Sequence, residues 1–431
     1  MTNKLRVSLA LMMFLEYAIW GAWMPILGAT LFNRGIAPVD IGNIYSALWL
    51  GCILSPFIGG QLVDRLMPSQ IFLALSHALA AIAAFVMARQ ATSGGLFWWM
   101  LIWALMFAPS LGITNSIAFD HIGRAISDEG GREREFARIR TAGTLGWIAA
   151  AFLLTAWLTL SGVDAKAKSG FIPEMMLTAG LGAVMVLFAA FALPHTPPAK
   201  TASDPLAFRR AFALFKSAPG FAVFMLVSFV AATEFQFFYV LSAPYLETLK
   251  IPHAYIPIVK SISQLAEIAA LGLLLPLWLP SKGMRWCLLL GSFAWPIRYL
   301  IFAHGEPIWL VVASLGLHGF GYAFVLVVQQ LYVDRVAPAD IRGSAQSLLT
   351  FVTLGLGNWL GSLFCGRVQQ FYSHDIIQNG KTVTITNWPP VFILPAVLTT
   401  ICAILYWMTF REPQATSDHL GQAELRAVET G

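Results

Sequence analysis

Runs of apolar residues long enough to cross a bilayer follow one another along nearly the whole chain, with only short polar breaks between them. A spanning helix needs about 20 such residues. In hydrocarbon the backbone has no water to bond, so each run must satisfy its own amides and carbonyls as a helix. Composition agrees: 58% of residues are hydrophobic and 11% are charged, against roughly 25% charged in soluble proteins. The chain is read as an all-α membrane protein whose surroundings are a lipid bilayer. A pI near 9.0 does not point to nucleic acid, because the basic residues are spread through short loops.

The opening MTNKLRVSLALMMFLEYAIWGAW resembles a signal peptide only superficially. It runs long, contains Glu16 and lacks a clear small-residue cleavage site, so it is read as a retained first helix. Cys52, Cys287, Cys365 and Cys402 lie in or beside apolar stretches without the spacing of a zinc site or a disulfide framework. They are read as small buried hydrophobes.

The pattern predicts twelve helices. In the first half these are 5–31, 39–63, 70–90, 96–123, 136–160 and 171–193. In the second they are 218–248, 253–279, 284–303, 307–333, 340–371 and 388–410. An even count puts both termini on one side. With a cytoplasmic N-terminus, the cytoplasmic loops and ends hold Lys4, Arg6, Arg65, Arg124, Arg132, Arg134, Arg138, Lys200, Arg209, Arg210, Lys216, Lys282, Arg285, Arg335, Arg342 and Arg411. The opposite side holds Arg34, Arg89, Lys166, Lys168, Lys250 and Lys381. Basic residues concentrate on the cytoplasmic side of membranes, so both termini and the central loop are expected there.

Four units follow: a six-helix bundle over 1–193, a cytoplasmic linker over 194–217, a second six-helix bundle over 218–411 and a disordered cytoplasmic tail over 412–431. The linker opens Pro-rich, and its Phe208–Lys216 stretch mixes Phe and Leu with Arg and Lys, as an interfacial helix does. The fifth span opens Ile139-Arg140-Thr141-Ala142-Gly143 and the eleventh opens Ile341-Arg342-Gly343-Ser344-Ala345, at equivalent places in the two halves. Parallel halves with a site between them at the midplane are the layout of major facilitator transporters.

Glu267 lies in the middle of an apolar run, SISQLAEIAALGLLLPLWL. A carboxylate at membrane depth costs on the order of 2.5–3.5 kcal/mol on insertion scales, which makes an intramembrane acid a functional candidate by default. Gln264, three residues earlier, shares its helix face. The expectation is that this face lines a transport pathway and that Glu267 carries the driving proton; the plainer alternative is a structural ion pair within the bundle.

On the fifth span, Arg140, Thr144 and Trp147 share a face. Arg140 is either a donor to a ligand or carboxylate in the other half, or a snorkelling anchor. Trp147 offers a ring to stack a flat base, with lipid or core packing as the commoner role. On the seventh span, Gln236 and Tyr239 share a face, and an amide beside a phenol suits a heterocycle or sugar hydroxyls. Glu234 is a second buried carboxylate and a rival proton carrier. Interhelical hydrogen bonding is the alternative for these residues. Asn115 on the fourth span and His318 with Tyr322 on the tenth complete the candidate lining. Glu16 is expected to pair with a base in the first half, while Lys260 and Arg298 are expected near helix ends, snorkelling outward. After the second span, Gly60-Gln61-Leu62-Val63-Asp64-Arg65 gives a GxxxDR turn in which Gly60 permits close contact and Asp64 and Arg65 serve as gating charges. An ordinary charged loop end is the alternative.

No HExxH, no GxSxG in a strand-turn-helix setting and no GxxxxGK[ST] loop occurs, so neither an enzyme nor an ATP-driven pump is expected. The eight histidines lack metal-ligand spacing; no metal and no cofactor is expected.

Several segments resemble the nucleoside:proton symporters of the major facilitator superfamily: EYAIWGAW, IGNIYSAL, APSLGITNSIAF, FARIRTAGTLGWI, ALPHTPPAK, SISQLAEI, LHGFGYAF, YVDRVAPADIRGSAQSL and NWPPVF. They run from the first span to the last, and RIRTAGTLGWI and the Gln-x-x-Glu of the eighth span are the most specific. The resemblance implies twelve helices, proton coupling, a nucleoside substrate, a bacterial inner-membrane location and a carrier working as a monomer. It places Arg140, Thr144 and Trp147 on the first-half wall of the site, and Gln236, Gln264 and Glu267 opposite. Tyr239 stands where some members have an amide, and Ala323 where members carry a carboxylate. The expected activity is nucleoside import with protons by alternating access. Other readings are proton-coupled transport of a sugar, nucleobase or other small polar metabolite, and a non-transporting nucleoside receptor.

Overall fold

A computed structural model describes residues 1–160, 162, 170–197, 207–218, 220–338, 340–378 and 381–410, with the side chains of 56–66, 207–208 and 381 outside the description. Gly60, Asp64 and Arg65 fall on the helical end of the second span, and their side chains are among those excepted. The tail beyond 410 and residues 198–206 of the linker also lie outside the described residues.

The first-half spans are Asn3–Gly21 with Leu27–Asn33, Pro38–Leu66, Ser69–Met87, Ser93–Ala125, Glu129–Leu160 and Pro173–Phe191. The first span, expected unbroken, is interrupted at residues 22–26. Pro25 lies in that break, and a proline has no N–H to continue a helical ladder. Thr92 starts the fourth span by accepting the Gly95 amide at 3.2 Å. Pro38 and Pro173 open the second and sixth spans, where a missing N–H is harmless.

The second half holds Phe221–Thr248, a helical stretch His253–His304, Ile308–Val336, Arg342–Phe371 and Trp388–Thr409. The long stretch is two spans that meet at Gly283, whose φ of 81° and ψ of 172° leave the helix altogether. Only a residue without a Cβ takes that conformation without strain. Among the described residues the chain thus has twelve crossings, six on each side of the linker. The eighth, tenth and eleventh spans carry π-helical turns at Ala270–Leu274, Ala323–Val327 and Phe351–Gly357; such turns often mark functional sites.

Small residues bring the helices together, as expected where no hydrophobic drive operates between helices in lipid. A Cβ on Gly51 would lie 2.5 Å from the Ala104 Cβ, which shows how closely the second and fourth spans approach. Large apolar side chains face outward: Trp98 is 62% exposed and Phe191 83%, an arrangement suited to lipid. The linker resumes as a short helical segment, Ala207–Ala213 and Leu214–Ser217, with Phe212 and Phe215 exposed beside the exposed Arg209 and Arg210. The exception to the helical pattern is an antiparallel hairpin, Ser373–Gln378 with Lys381–Thr386. Its second strand, KTVTIT, is rich in the β-branched residues that suit a pleated surface.

The N-terminus, the linker and residue 410 gather at one end of the molecule, the terminal face. Arg6 bonds Glu135 there, Ser69 and Thr196 pair through their backbones, and Tyr332 packs on Phe410. Among the described residues, the hydrogen bonds between bundles lie away from this face. They are Asn33 to Glu247 (2.8 Å), Thr30 to His253 (3.4 Å), Lys260 to the Pro25 carbonyl (3.0 Å) and Trp49 to Gln236 (3.2 Å). On the far face a Cβ on Gly42 would come within 2.5 Å of the Ser362 carbonyl. The two bundles are closed against each other there.

Candidate functional site

The midplane between the bundles brings together side chains from the first, fifth, seventh, eighth and tenth spans. Trp147, Phe238, Tyr239, Lys260, Gln264 and Pro25 line a small cavity of about 10 Å³. That is about the space one water needs, far below the ~300–1,000 Å³ of ordinary ligand pockets, so the bundles lie close together here in this conformation. Gln264 reaches it from the eighth helix and makes no hydrogen bond to another described residue. An amide whose donors and acceptor are free beside a cavity is suited to a polar solute.

Glu267 is half-buried and has no ion-pair or hydrogen-bond partner among the described residues. It lies within electrostatic reach of Arg140, Tyr17, Tyr239 and Tyr322. Arg140 and Tyr17 belong to the first bundle, Tyr239 and Tyr322 to the second. Arg140 is half-buried, and its guanidinium lies 4.0 Å above the Tyr17 ring. Thr144 and Trp147 follow Arg140 along the same helix, both half-buried, and Trp147 meets Trp20 edge-on at 5.8 Å. Asn115 is half-buried on the fourth span, and its side-chain oxygen has no partner among the described residues.

Gln236 is placed differently. Its oxygen accepts from Trp49 at 3.2 Å and Ser362 at 3.0 Å, and its nitrogen donates to Asn358 at 2.9 Å. The amide ties the two bundles together in this conformation instead of facing the cavity. Glu234 sits behind the cavity wall, fully buried, 3.5 Å from Arg298. Arg298 also donates to His318 Nδ1 at 2.7 Å. A guanidinium has no acceptor, so Nδ1 is the unprotonated nitrogen and the proton sits on Nε2, which faces the Tyr239 hydroxyl at 3.4 Å. His318 lies flat on Phe238, with ring centres 3.8 Å apart. Tyr322 stands half-buried beside Phe235.

Two expectations need correction. Lys260 and Arg298 do not snorkel to the surface; they are 3% and 0% exposed. Lys260 is turned inward because its ammonium bonds the Pro25 carbonyl, in the break of the first span, and more loosely the Tyr239 carbonyl at 3.4 Å. Arg298 is held by Glu234, His318 and the faces of Phe238 and Tyr299. The sequence held a signal for the first: Lys260, Gln264 and Glu267 are spaced to share one helix face. Tyr17, which carries Arg140, was equally unmarked, although it and Trp20 lie three apart on the first helix.

Glu16 meets its base: Oε2 lies 2.9 Å from His77 Nε2, and Ser110 reaches Oε1 at 2.5 Å, all three buried. The four cysteines are free, with Cys287, Cys365 and Cys402 buried and Cys52 partly so.

The model of the nucleoside H+ symporter family matches residues 1–415. The chain is 33% identical to YegT of Escherichia coli (strain K12) over 418 residues, covering 95% of this chain and 94% of that one. It is 28% identical to the xanthosine permease of the same organism over 426 residues, covering 95% and 96%. Among solved structures, the nucleoside transporter NupG superposes with a TM-score of 0.81 at 28% identity, covering 96% of this chain and all of that one. A D-xylose-proton symporter superposes at 0.66 with 14% identity, a likeness of fold alone. The chain therefore belongs to the nucleoside H+ symporter family of the major facilitator fold, whose members carry a nucleoside across a membrane together with protons.

Proposed function

We propose that this protein imports a nucleoside by alternating access and that Glu267 is the group that takes up the driving proton. One observation carries the reading: Glu267 is a half-buried carboxylate inside an apolar helix, one turn from the cavity-lining Gln264, with no ion-pair or hydrogen-bond partner among the described residues. A fixed ion pair would hold it ionised, whereas a partnerless acid is free to titrate as the surroundings change. Ionised, it is attracted to Arg140 across the gap and favours one arrangement of the bundles. Protonated, it loses that attraction and becomes a hydrogen-bond donor. Loaded with proton and cargo, the carrier then reorients without an ionised Glu267 at its centre.

Trp147 is placed to stack the base, while Gln264, Thr144, Asn115, Tyr239 and Tyr322 offer hydrogen bonds to base and sugar. His318 positions Tyr239 and the Phe238 ring instead of meeting the cargo directly. Gln236 and Lys260 hold the bundles together near the midplane. Basic residues concentrate on the terminal face, so that face is cytoplasmic and the conformation described is inward-facing. Asp64, Arg65 and Gly60 belong to the gate that closes on that side in the other conformation. The setting is a bacterial cytoplasmic membrane, and one chain supplies every residue named, so a monomer suffices.

The test is proton movement. Proteoliposomes holding the protein become alkaline outside when uridine or adenosine is added there, if proton and cargo enter together. A signal unchanged by any nucleoside contradicts symport and leaves a binding protein that moves nothing.

A further inference from the structure

Lys260 stands out among the buried charges. The residue is 3% exposed, and no carboxylate lies within 4 Å of its ammonium among the described residues. Its two partners are uncharged carbonyls, Pro25 at 3.0 Å and Tyr239 at 3.4 Å. An ammonium has three donors, and the Phe238 ring also lies beside this one, 5.0 Å from Nζ. The same residue lines the central cavity with Trp147, Phe238, Tyr239 and Gln264, and Arg298 lies within its electrostatic reach. Three cations, Arg140, Lys260 and Arg298, surround two carboxylates, Glu234 and Glu267. Of the three, only Arg298 has a carboxylate within 4 Å among the described residues, and Lys260 is the more deeply buried of the other two.

A buried charge with no countercharge costs several kcal/mol. An oxygen-rich cargo compensates it; an amino group pointed at it adds a second donor to a first and leaves both unsatisfied. We propose that Lys260 reads the nucleobase, selecting bases that turn a carbonyl oxygen toward it over bases that present an exocyclic amine. Trp147 lines the same cavity, so a base stacked on its ring brings its edge, not its ring, to the ammonium. The cargo class is the oxo-nucleosides, with uracil, hypoxanthine and xanthine bases. This inference rests on the nucleoside-import reading above and goes further by choosing among nucleosides.

The experiment uses two pairs, uridine against cytidine and inosine against adenosine, each differing chiefly by oxo or amino at one ring position. Relative uptake efficiency is measured for the wild type, Lys260→Met and Lys260→Arg in proteoliposomes. The wild type is expected to favour the oxo member of each pair by at least about tenfold, the effect of one hydrogen bond to a charged group. Lys260→Met should bring the pairs to within about threefold of each other, and Lys260→Arg should keep the preference. An unchanged preference in Lys260→Met overturns the inference. So does an equal loss for all four nucleosides, which marks Lys260 as a cap on the Pro25 carbonyl and nothing more. Should Lys260→Met fail to fold, the wild type and Lys260→Arg decide: binding constants without an oxo preference overturn the inference, and a shared preference supports it. A wild type that transports none of the four overturns the import reading itself, whereas one that transports all four alike overturns only the choice of base.

Discussion

The buried Glu16 of the first bundle and the acids at the centre of the second are treated in opposite ways. In the first, Glu16 has both carboxylate oxygens occupied, by His77 at 2.9 Å and Ser110 at 2.5 Å, and no water reaches any of the three. In the second, Glu234 stands 3.5 Å from Arg298 with no hydrogen bond to its carboxylate oxygens from the described residues, Lys260 has no countercharge, and Glu267 has no partner. A carboxylate with all its bonds made holds helices in register and has nothing to gain by titrating. One left unsatisfied beside a cavity changes state when cargo, proton or the facing bundle changes. The Glu16 cluster is an electrically closed contact, and the open charges at the centre of the second bundle are where the working ones sit.

The contrast breaks most visibly in stability. Glu16→Leu leaves His77 buried opposite nothing and should cost about 3–5 kcal/mol, the usual penalty for removing one partner of a buried pair. Glu267→Gln, which has no pair to break, should change stability by less than about 1 kcal/mol. Thermal unfolding in detergent with a reporter dye measures both, and equal losses would erase the distinction drawn here. Next comes the far face. Gly42→Val places branched carbon against the Ser362 carbonyl; overpacking of this kind costs about 1–3 kcal/mol. It should hold that face ajar and raise the labelling of a cysteine introduced at Asn33, whereas unchanged labelling would show that the bundles do not meet tightly there.

Smaller effects sharpen the picture within the site. Arg140→Ala should slow uptake markedly by removing the countercharge across from Glu267, and uptake at the wild-type rate would return Arg140 to an anchoring role. Gln264→Ala should weaken nucleoside affinity about tenfold, worth one good hydrogen bond in a desolvated site. Gln236→Ala should affect affinity less than Gln264→Ala does, because Gln236 already spends its amide on Trp49, Ser362 and Asn358. Binding constants in which Gln236 dominates would place the cargo deeper, between the second, seventh and eleventh spans.

Most of the fold was written in hydropathy, since lipid forces each apolar run into a helix whatever its neighbours do. The interruption of the first span was less visible: one proline in an apolar run does not say whether a helix bends, stops or restarts. The hairpin before the last span is local and carries no hydropathy signal. Within the site, Glu267 and Gln264 were legible because a charged residue in an apolar run has few explanations. Lys260 was harder to read, despite its shared face with Gln264 and Glu267, because a lysine two turns inside a span normally reaches back to the interface. Its inward turn depends on a free carbonyl at Pro25, some 235 residues away in sequence, and no local pattern encodes that contact. Gln236 shared its signal with ligand-binding amides, and only the facing helices reveal that its bonds are already made.

The role of Glu267 is tested most directly by loading proteoliposomes with Glu267→Gln and measuring uridine accumulation under an imposed proton gradient, beside exchange of labelled for unlabelled uridine with no gradient. The account predicts that accumulation disappears while exchange persists, since a permanently neutral side chain still lets the loaded carrier reorient. Accumulation at the wild-type level by this variant would contradict it and move the coupling proton to another residue.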